Sequence, residues 1–199
     1  MRPTPAASPP TPVPSPAQPF CNDLPDLKTR VRCRLSLPEA ELERQQAVRY
    51  LPEECRSYTD SAAREQCIDL YRKLQTCWGF PVGPARIGCV KRILKIGDLA
   101  ADAAACNRLP EDETADCRIT LRNKVYSLIK FRFYDLEERA EDLREDGAPL
   151  DAVANFVAAQ EEAKQRFNLA TTDAQRRAII LEVKNAWQAF IRQVSPYLK

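Results

Sequence analysis

The sequence predicts an all-α protein in which four disulfide-stapled helical hairpins lead through one long helix into a C-terminal three-helix bundle. Three observations predict this fold class. Only 5 of the 199 residues are Gly, too few for the tight turns of a many-stranded sheet. Eight cysteines form regularly spaced pairs, and apolar residues recur at three- and four-residue intervals through the second half of the chain.

The cysteines fall into successive pairs whose members lie twelve, twelve, twelve and eleven positions apart. Structural zinc sites join two ligands through a knuckle of about two to four residues, and thiol oxidoreductases use Cys-x-x-Cys. Neither spacing occurs in this chain. The pattern therefore favours disulfides over a metal-binding or thiol-redox protein, which stays a second alternative for the function.

Helix geometry selects the disulfide partners. Twelve residues of unbroken helix separate two Cα atoms by about 18 Å, whereas a disulfide needs them within about 7 Å. Each segment between paired cysteines contains a helix breaker or a helix start signal, so each can turn back on itself. We predict the disulfides Cys21–Cys33, Cys55–Cys67, Cys77–Cys89 and Cys106–Cys117.

The four loops also resemble one another in sequence. The first begins CNDLP and the fourth CNRLP, and a large apolar residue lies three positions after the first cysteine of every loop. Arginine lies nine positions after that cysteine in the first three loops, as Arg30, Arg64 and Arg86. These arginines either form a ladder of anion contacts or cap carbonyls within their own loops, and the second interpretation is favoured.

Four disulfides would not persist in the cytosol, so we expect an exported protein of the periplasm, the cell envelope or the extracellular space. Residues 1–19 hold half of the 16 prolines and predict a disordered, extended linker. This segment lacks the apolar stretch of a signal peptide, so we expect an export signal or a lipid anchor upstream of Met1. The linker then either spaces the folded part from that anchor or is a tail without a role.

Residues 20–117 are predicted to form the Cys-rich hairpin region. A Ser-x-x-Glu capping box at Ser36 and Glu39 predicts a helix over 36–51. Further helices are predicted over 62–77 and 84–106. No run of about 18 apolar residues occurs, so no transmembrane segment is expected.

Residues 118–199 are predicted to form the rest of a long helix and a helical bundle. Neither Gly nor Pro interrupts residues 111–146, which predicts a spine helix about 50 Å long. Gly147 and Pro149 then end it and start the next helix. Thr172 and Gln175 form a second capping box that opens the last helix, which Pro196 ends.

Basic side chains of the third predicted helix and the spine could share a face, which would suit an anionic polymer or a headgroup surface. The alternative is solvated charge that is paired within the fold. Trp78 is an exposed aromatic anchor for a partner or packs over its own disulfide. The candidate binding residues are Trp78, Arg86, Lys91, Arg92, Lys95, Arg118, Arg122, Lys124, Lys130 and Arg132.

The chain contains no His, which removes the commonest general base and every Ser-His or Cys-His pair. No phosphate-binding glycine loop occurs, so we expect neither an enzyme nor a cofactor, and no metal or catalytic residue is assigned. The net charge of +2 does not demand nucleic acid. We therefore expect a structural or adaptor-like binding module with a protein or envelope partner. A periplasmic helical chaperone is the first alternative.

Overall fold

The computed structural model describes residues 20–49 and 52–198, and within them it contains eight α-helices and no strand. The predicted all-α class is confirmed. Three short 3-10 helices lie at Cys21–Asp23, Glu53–Ser57 and Ser195–Tyr197. The predicted linker at 1–19 and the predicted helix end near 51 lie outside the described residues. The helices are α1 (Leu27–Ser36), α2 (Glu39–Arg49), α3 (Ser61–Gln75), α4 (Pro84–Ile93), α5 (Leu99–Cys106), α6 (Glu111–Glu145), α7 (Leu150–Leu169) and α8 (Asp173–Val194).

The four disulfides pair as predicted, and each joins two cysteines on either side of one turn. Their Cα–Cα distances run from 5.5 to 5.7 Å. No described cysteine is free. Each staple therefore fixes a local corner between neighbouring segments and leaves the long-range packing to other interactions.

The repeated arginines cap carbonyls inside their own loops. In each of the first three loops the arginine donates to the carbonyl of the residue three positions after the first cysteine: Arg30 to Leu24 at 2.9 Å, Arg64 to Tyr58 at 2.7 Å and Arg86 to Phe80 at 2.9 Å. In the fourth loop the Thr114 hydroxyl donates to the Leu109 carbonyl at 3.0 Å. Since these guanidinium groups satisfy turn carbonyls, the favoured interpretation of the repeat holds.

Two predicted helix boundaries are wrong. Ser36 ends α1 and its hydroxyl donates to the Arg32 carbonyl at 2.7 Å, so it opens no capping box. The helix predicted over 84–106 is divided, because Lys95 adopts a left-handed φ of 52° and the Ile96 amide donates to the Lys91 carbonyl at 2.8 Å. That pattern is a Schellman ending, and it lets Ile96 turn into the protein.

The later boundaries agree with the sequence. Helix α6 is continuous over 35 residues, and the predicted capping box at Thr172 and Gln175 is present. Gly147 has a φ of 113°, and a Cβ there would lie 2.9 Å from the Tyr197 carbonyl oxygen. Glycine at this position thus permits both the left-handed turn and the close approach of the C-terminal segment.

Helix α7 lies at the centre of the packing. It contacts α6 and α8, as the predicted three-helix bundle requires, and it also contacts α1 and the 3-10 helix at 53–57. One apolar core joins Val31 of α1 to Val153 and Phe156 of α7 and to Phe190 of α8, and the Phe156 and Phe190 rings stack with centroids 4.6 Å apart. Segments from both predicted regions therefore share one core.

Two adjacent buried glutamates connect these elements. The Glu53 side chain is fully buried and accepts two hydrogen bonds of 2.8 Å from Arg30, with Arg34 at 3.0 Å and Arg56 at 3.1 Å. Three guanidinium groups thus surround one carboxylate. The short 3-10 helix is thereby fastened to α1.

Glu54 faces the other way, toward α6 and α7. It accepts a hydrogen bond from the Tyr134 hydroxyl of α6, and Lys130 Nζ lies 3.8 Å from its Oε2. Asn168 of α7 donates to the same Oε2 at 3.5 Å. Neighbouring side chains of one short helix therefore hold α1, α6 and α7 in register.

We predict that Glu53→Gln lowers the free energy of unfolding by about 3–5 kcal/mol at neutral pH, because the buried Arg30 and the half-buried Arg34 and Arg56 lose the negative charge that they share. Burial alone would raise the pKa of Glu53, but the hydrogen bond from Arg30 and the charges of Arg34 and Arg56 lower it overall. The stabilisation is therefore complete above the ordinary pKa of 4.5 and disappears as the pH falls through the lowered value.

Urea denaturation of both proteins across the pH range measures this difference. The exposed Glu65 offers a matched control, and Glu65→Gln should change stability by less than about 0.5 kcal/mol. A Glu53→Gln deficit of the same size in strong acid as at neutral pH would contradict the prediction.

We also predict that removal of the Cys55–Cys67 disulfide costs more stability than removal of Cys106–Cys117. The two loops are almost equally long, so each double Cys→Ser variant loses about 3 kcal/mol of loop-closure stabilisation. The first variant additionally loosens the segment that carries Glu53 and Glu54. Urea titrations of the two variants measure the difference, and an equal loss would show that the buried glutamates do not depend on this staple.

Candidate functional site

The structure does not bring the predicted basic residues onto one face. Three of them form ion pairs with carboxylates of the protein. Arg86 Nη1 lies 3.0 Å from Asp135 Oδ1, and Arg132 Nη1 lies 3.2 Å from Asp135 Oδ2. Lys130 pairs with Glu54 as described above. Arg86 is itself buried, so its guanidinium stabilises the packing of α4 against α6 and is not displayed to a ligand.

Four of the remaining predicted cations lie at the end of α4 and in the first half of α6. Lys124 Nζ donates to the Lys95 carbonyl at 3.1 Å, so these two helices are adjacent there, and both residues line a depression beside the Cys106–Cys117 disulfide. Lys91 and Arg92 belong to the last turn of α4. A binding role for these four residues stays a prediction.

Trp78 is half-buried, and it packs against other aromatic side chains. Its ring meets Tyr71 at a centroid distance of 5.6 Å and Tyr134 at 6.2 Å, both edge-on, and it stacks on Phe131 at 6.4 Å. It therefore belongs to an internal aromatic cluster. Its Nε1 atom is buried and donates to no described group.

A groove between α6 and α8 gathers two of the predicted cations with two further arginines. Its volume is about 380 Å³. The floor is apolar and consists of Leu121, Val125, Ile129 and Ile180. We call it the arginine groove, because Arg118, Arg122, Arg176 and Arg177 stand along its edges.

The groove has a strong excess of positive charge. Asp173 is the one carboxylate among its lining residues, and it accepts a hydrogen bond of 2.5 Å from the Tyr126 hydroxyl. This hydrogen bond lowers the pKa of Asp173, and the nearby charges of Arg122 and Arg176 add to the effect. Asp173 is thus a permanent anion that neutralises about one of the four guanidinium charges.

The four arginines differ in how many contacts with the rest of the protein fix their side chains. Arg176 stacks over the Tyr126 ring at 4.3 Å and donates to the Ala170 carbonyl, which fixes its plane beside the groove. Arg118 donates to the Asn107 side chain at 2.7 Å. Arg122 and Arg177 are exposed, and both lie near enough to Asp173 that their charges lower its pKa. Two preoriented cations and two available ones therefore surround an apolar floor.

Sequence reasoning missed Arg176 and Arg177, since they lie far along the chain from the basic stretch of α6 at 118–132. A signal was present in the sequence, because Arg176 and Arg177 are adjacent cations near the start of the helix that the capping box predicts. Only the packing of α8 against α6 shows which surface they join.

Within the described residues, three potential ligands approach within 4.8 Å of one another at Glu54, Cys55 and Cys67. Both sulfur atoms belong to one disulfide, and Glu54 accepts a hydrogen bond from the Tyr134 hydroxyl. Thiolate ligation there would require reduction of that staple.

No protein-family model, no curated protein and no solved structure matches the chain. In the described part of the chain, every helix falls short of the length and apolar composition that crossing a membrane requires. The four disulfides and the helical fold are consistent with an exported protein.

We predict that phenylglyoxal, which modifies accessible guanidinium groups, reacts with Arg122 and Arg177 before it reacts with Arg30 and Arg86. The last two are buried and bound to carboxylates. Mass spectrometry of tryptic peptides at partial modification measures the order. Exposed Arg192 at the end of α8 serves as the internal standard for reactivity. Equal modification of Arg86 and Arg122 would contradict this description of the groove.

Proposed function

We propose that this protein is an exported, non-enzymatic binding module of the cell envelope or extracellular space that acts as a structural or adaptor-like component. Its arginine groove binds an acidic amphipathic helix of a partner protein. The disulfides support export, because they would not persist among cytosolic thiols. The groove supports binding through its combination of charge and apolar surface.

The observation that carries the proposal is an apolar floor bordered by four guanidinium groups with one opposing carboxylate. Arginine forms paired hydrogen bonds with carboxylates, and the floor offers branched aliphatic side chains for an apolar helix face. A shallow groove between two helices suits an amphipathic helix with apolar residues at i, i+3, i+4 and i+7. A lipid acyl chain would need a more enclosed apolar cavity.

The groups in the groove are suited to binding more than to catalysis. Guanidinium groups do not exchange protons near neutral pH, and the pKa of Tyr126 is raised by burial and by its hydrogen bond to Asp173. The same hydrogen bond keeps Asp173 a weak base. These properties support a non-enzymatic role.

The two alternatives make different demands on the structure. A periplasmic helical chaperone would use the same apolar floor, and it should suppress aggregation of an unfolded client in light scattering. A metal-binding or thiol-redox protein would first have to open a disulfide, because every described cysteine is oxidised.

We predict that the protein binds a helical peptide with a leucine face flanked by glutamates, and that the double variant Arg122→Glu/Arg177→Glu weakens this binding about tenfold or more. Fluorescence anisotropy at several salt concentrations measures the affinity, which should fall as salt rises. Arg192→Glu, an exposed reversal on the same helix α8, is the matched control and should leave the affinity unchanged.

A peptide with lysines in place of the glutamates and vesicles containing an anionic phospholipid complete the experiment. Binding of the acidic peptide alone, with loss in the double variant, supports the proposal. Binding of the vesicles without the peptide would identify a headgroup surface and overturn it. Equal binding of the acidic and the basic peptide would also overturn it.

A further inference from the structure

A second cavity lies along the second half of α6. Its lining consists largely of aromatic rings and carboxylates, whereas arginines and aliphatic side chains line the arginine groove. Its volume is about 170 Å³, and residues of α1, α2, α3, α6 and α7 surround it. An engineered cavity of about 150 Å³ in another protein holds benzene, so this space accommodates about six non-hydrogen atoms. We call it the acidic cavity.

Three aromatic side chains form one wall of the acidic cavity. Tyr71, Trp78 and Tyr134 meet edge-on at centroid distances of 5.0 to 6.2 Å. The protein already places one cation against this wall, because Lys164 Nζ lies 3.7 Å from the centroid of the Tyr134 ring. The π faces of such rings attract cations, most strongly where water is excluded.

Four carboxylates also line the acidic cavity. Glu137 and Glu161 are buried, Glu138 is half-buried and Glu141 stands exposed at the rim. Lys164 Nζ lies 2.8 Å from Glu137 Oε2 and 2.9 Å from Glu161 Oε2, so one ammonium serves two carboxylates.

The other oxygen of Glu137 has no hydrogen-bond donor in the described part of the chain. Glu137 is only 7% exposed, and its Oε1 atom is buried without a hydrogen-bond donor among the described residues. A buried carboxylate oxygen without a donor is costly. Because Glu137 is one of the residues that line the cavity, a donor group bound there would satisfy this oxygen.

Among the residues that the structure describes, the charges around the acidic cavity leave an excess of carboxylates. Four carboxylates face Lys164 and Arg34, and Arg34 also pairs with Glu53 at 3.0 Å. Burial and the charge of Glu161 raise the pKa of Glu137 despite the opposing effect of Lys164. Burial also raises the pKa of Glu138, and Asp142 and Asp135 add to this against the charge of Arg86. One further cation would relieve this repulsion.

We propose that the acidic cavity binds a small organic cation with N–H donors, an alkylammonium or guanidinium group, which donates to Glu137 Oε1 and packs against Tyr71 and Trp78. Geometry disfavours a metal ion, because no three of the lining carboxylates bring oxygens within 4.8 Å of one another. Metal ligation needs such convergence, whereas a planar or tetrahedral organic cation is held by separated acceptors and ring faces.

Isothermal titration calorimetry with n-butylammonium and with the peptide acetyl-Gly-Lys-Gly-amide tests the proposal. The first probe represents a free amine and the second a lysine side chain of a partner. We expect saturable 1:1 binding of at least one probe. Affinity should be weaker at about pH 5.5 than at about pH 8, because protons compete for carboxylates with raised pKa values. Tetramethylammonium, which has no N–H donor, should bind about tenfold more weakly.

Variants identify the site. Glu137→Gln keeps an acceptor for Lys164 and should weaken binding about tenfold or more. Glu138→Gln, at the half-buried edge, gives an independent measurement should the first variant fail to fold. Glu162→Gln is the matched control, since Glu162 is exposed on α7 beside the buried Glu161. Glu162→Gln and the double variant Arg122→Glu/Arg177→Glu should bind both probes with the affinity of the unmutated protein.

Several results would overturn the proposal. One is the absence of saturable heat with either probe. Another is an affinity for the probes that neither Glu137→Gln nor Glu138→Gln changes. A third is an affinity for tetramethylammonium equal to that for n-butylammonium. Calcium binding that is tighter than that of both probes, and that the same two variants abolish, would identify a metal site instead. Because Arg122→Glu/Arg177→Glu does not touch this cavity, failure here and failure of the proposed peptide binding are separate results.

Discussion

Burial of two adjacent carboxylates is the constraint on which the rest of the structure depends. Glu53 and Glu54 lie on a single turn of 3-10 helix, and each needs cations or hydrogen-bond donors to offset the loss of water. The partners come from helices distant in sequence, namely α1, α6 and α7. A chain that buries this pair must bring those helices together. The disulfide at Cys55 ties the same turn to α3, so a local staple and a long-range ion cluster act on one short segment.

This arrangement separates two kinds of stabilisation. The disulfides close short loops and restrict the unfolded chain, while the arginines at Cys+9 satisfy the carbonyls of those loops. Apolar packing around α7 and the buried glutamates determine how the stapled segments meet. The spine helix α6 then presents two surfaces of opposite character. Its basic stretch over 118–129 forms the arginine groove with α8, and its acid-rich stretch over 134–141 lines the acidic cavity together with α7.

Local signals predicted local features well. The spacing of the cysteines predicted all four disulfides, and the capping box at Thr172 predicted the start of α8. The errors also have physical causes. Lys95 takes a left-handed conformation that its residue type does not signal, because the Schellman ending lets Ile96 reach the core. The partner of Arg86 could not be predicted, because the buried Asp135 lies 49 positions away and no pattern within α4 reveals it.

The sequence by itself determined the helical class, the oxidised pairing of the cysteines and the end of the spine helix at Gly147, because each depends on residues within a few turns of one another. Only the tertiary structure decided which charges are internal and which are displayed. Arg86, Lys130 and Arg132 form ion pairs with carboxylates of the protein, whereas Arg122 of α6 and Arg177 of α8 line the same groove. The reason is that a charge becomes a structural contact or a binding group according to what packs opposite it, and distant helices supply that partner.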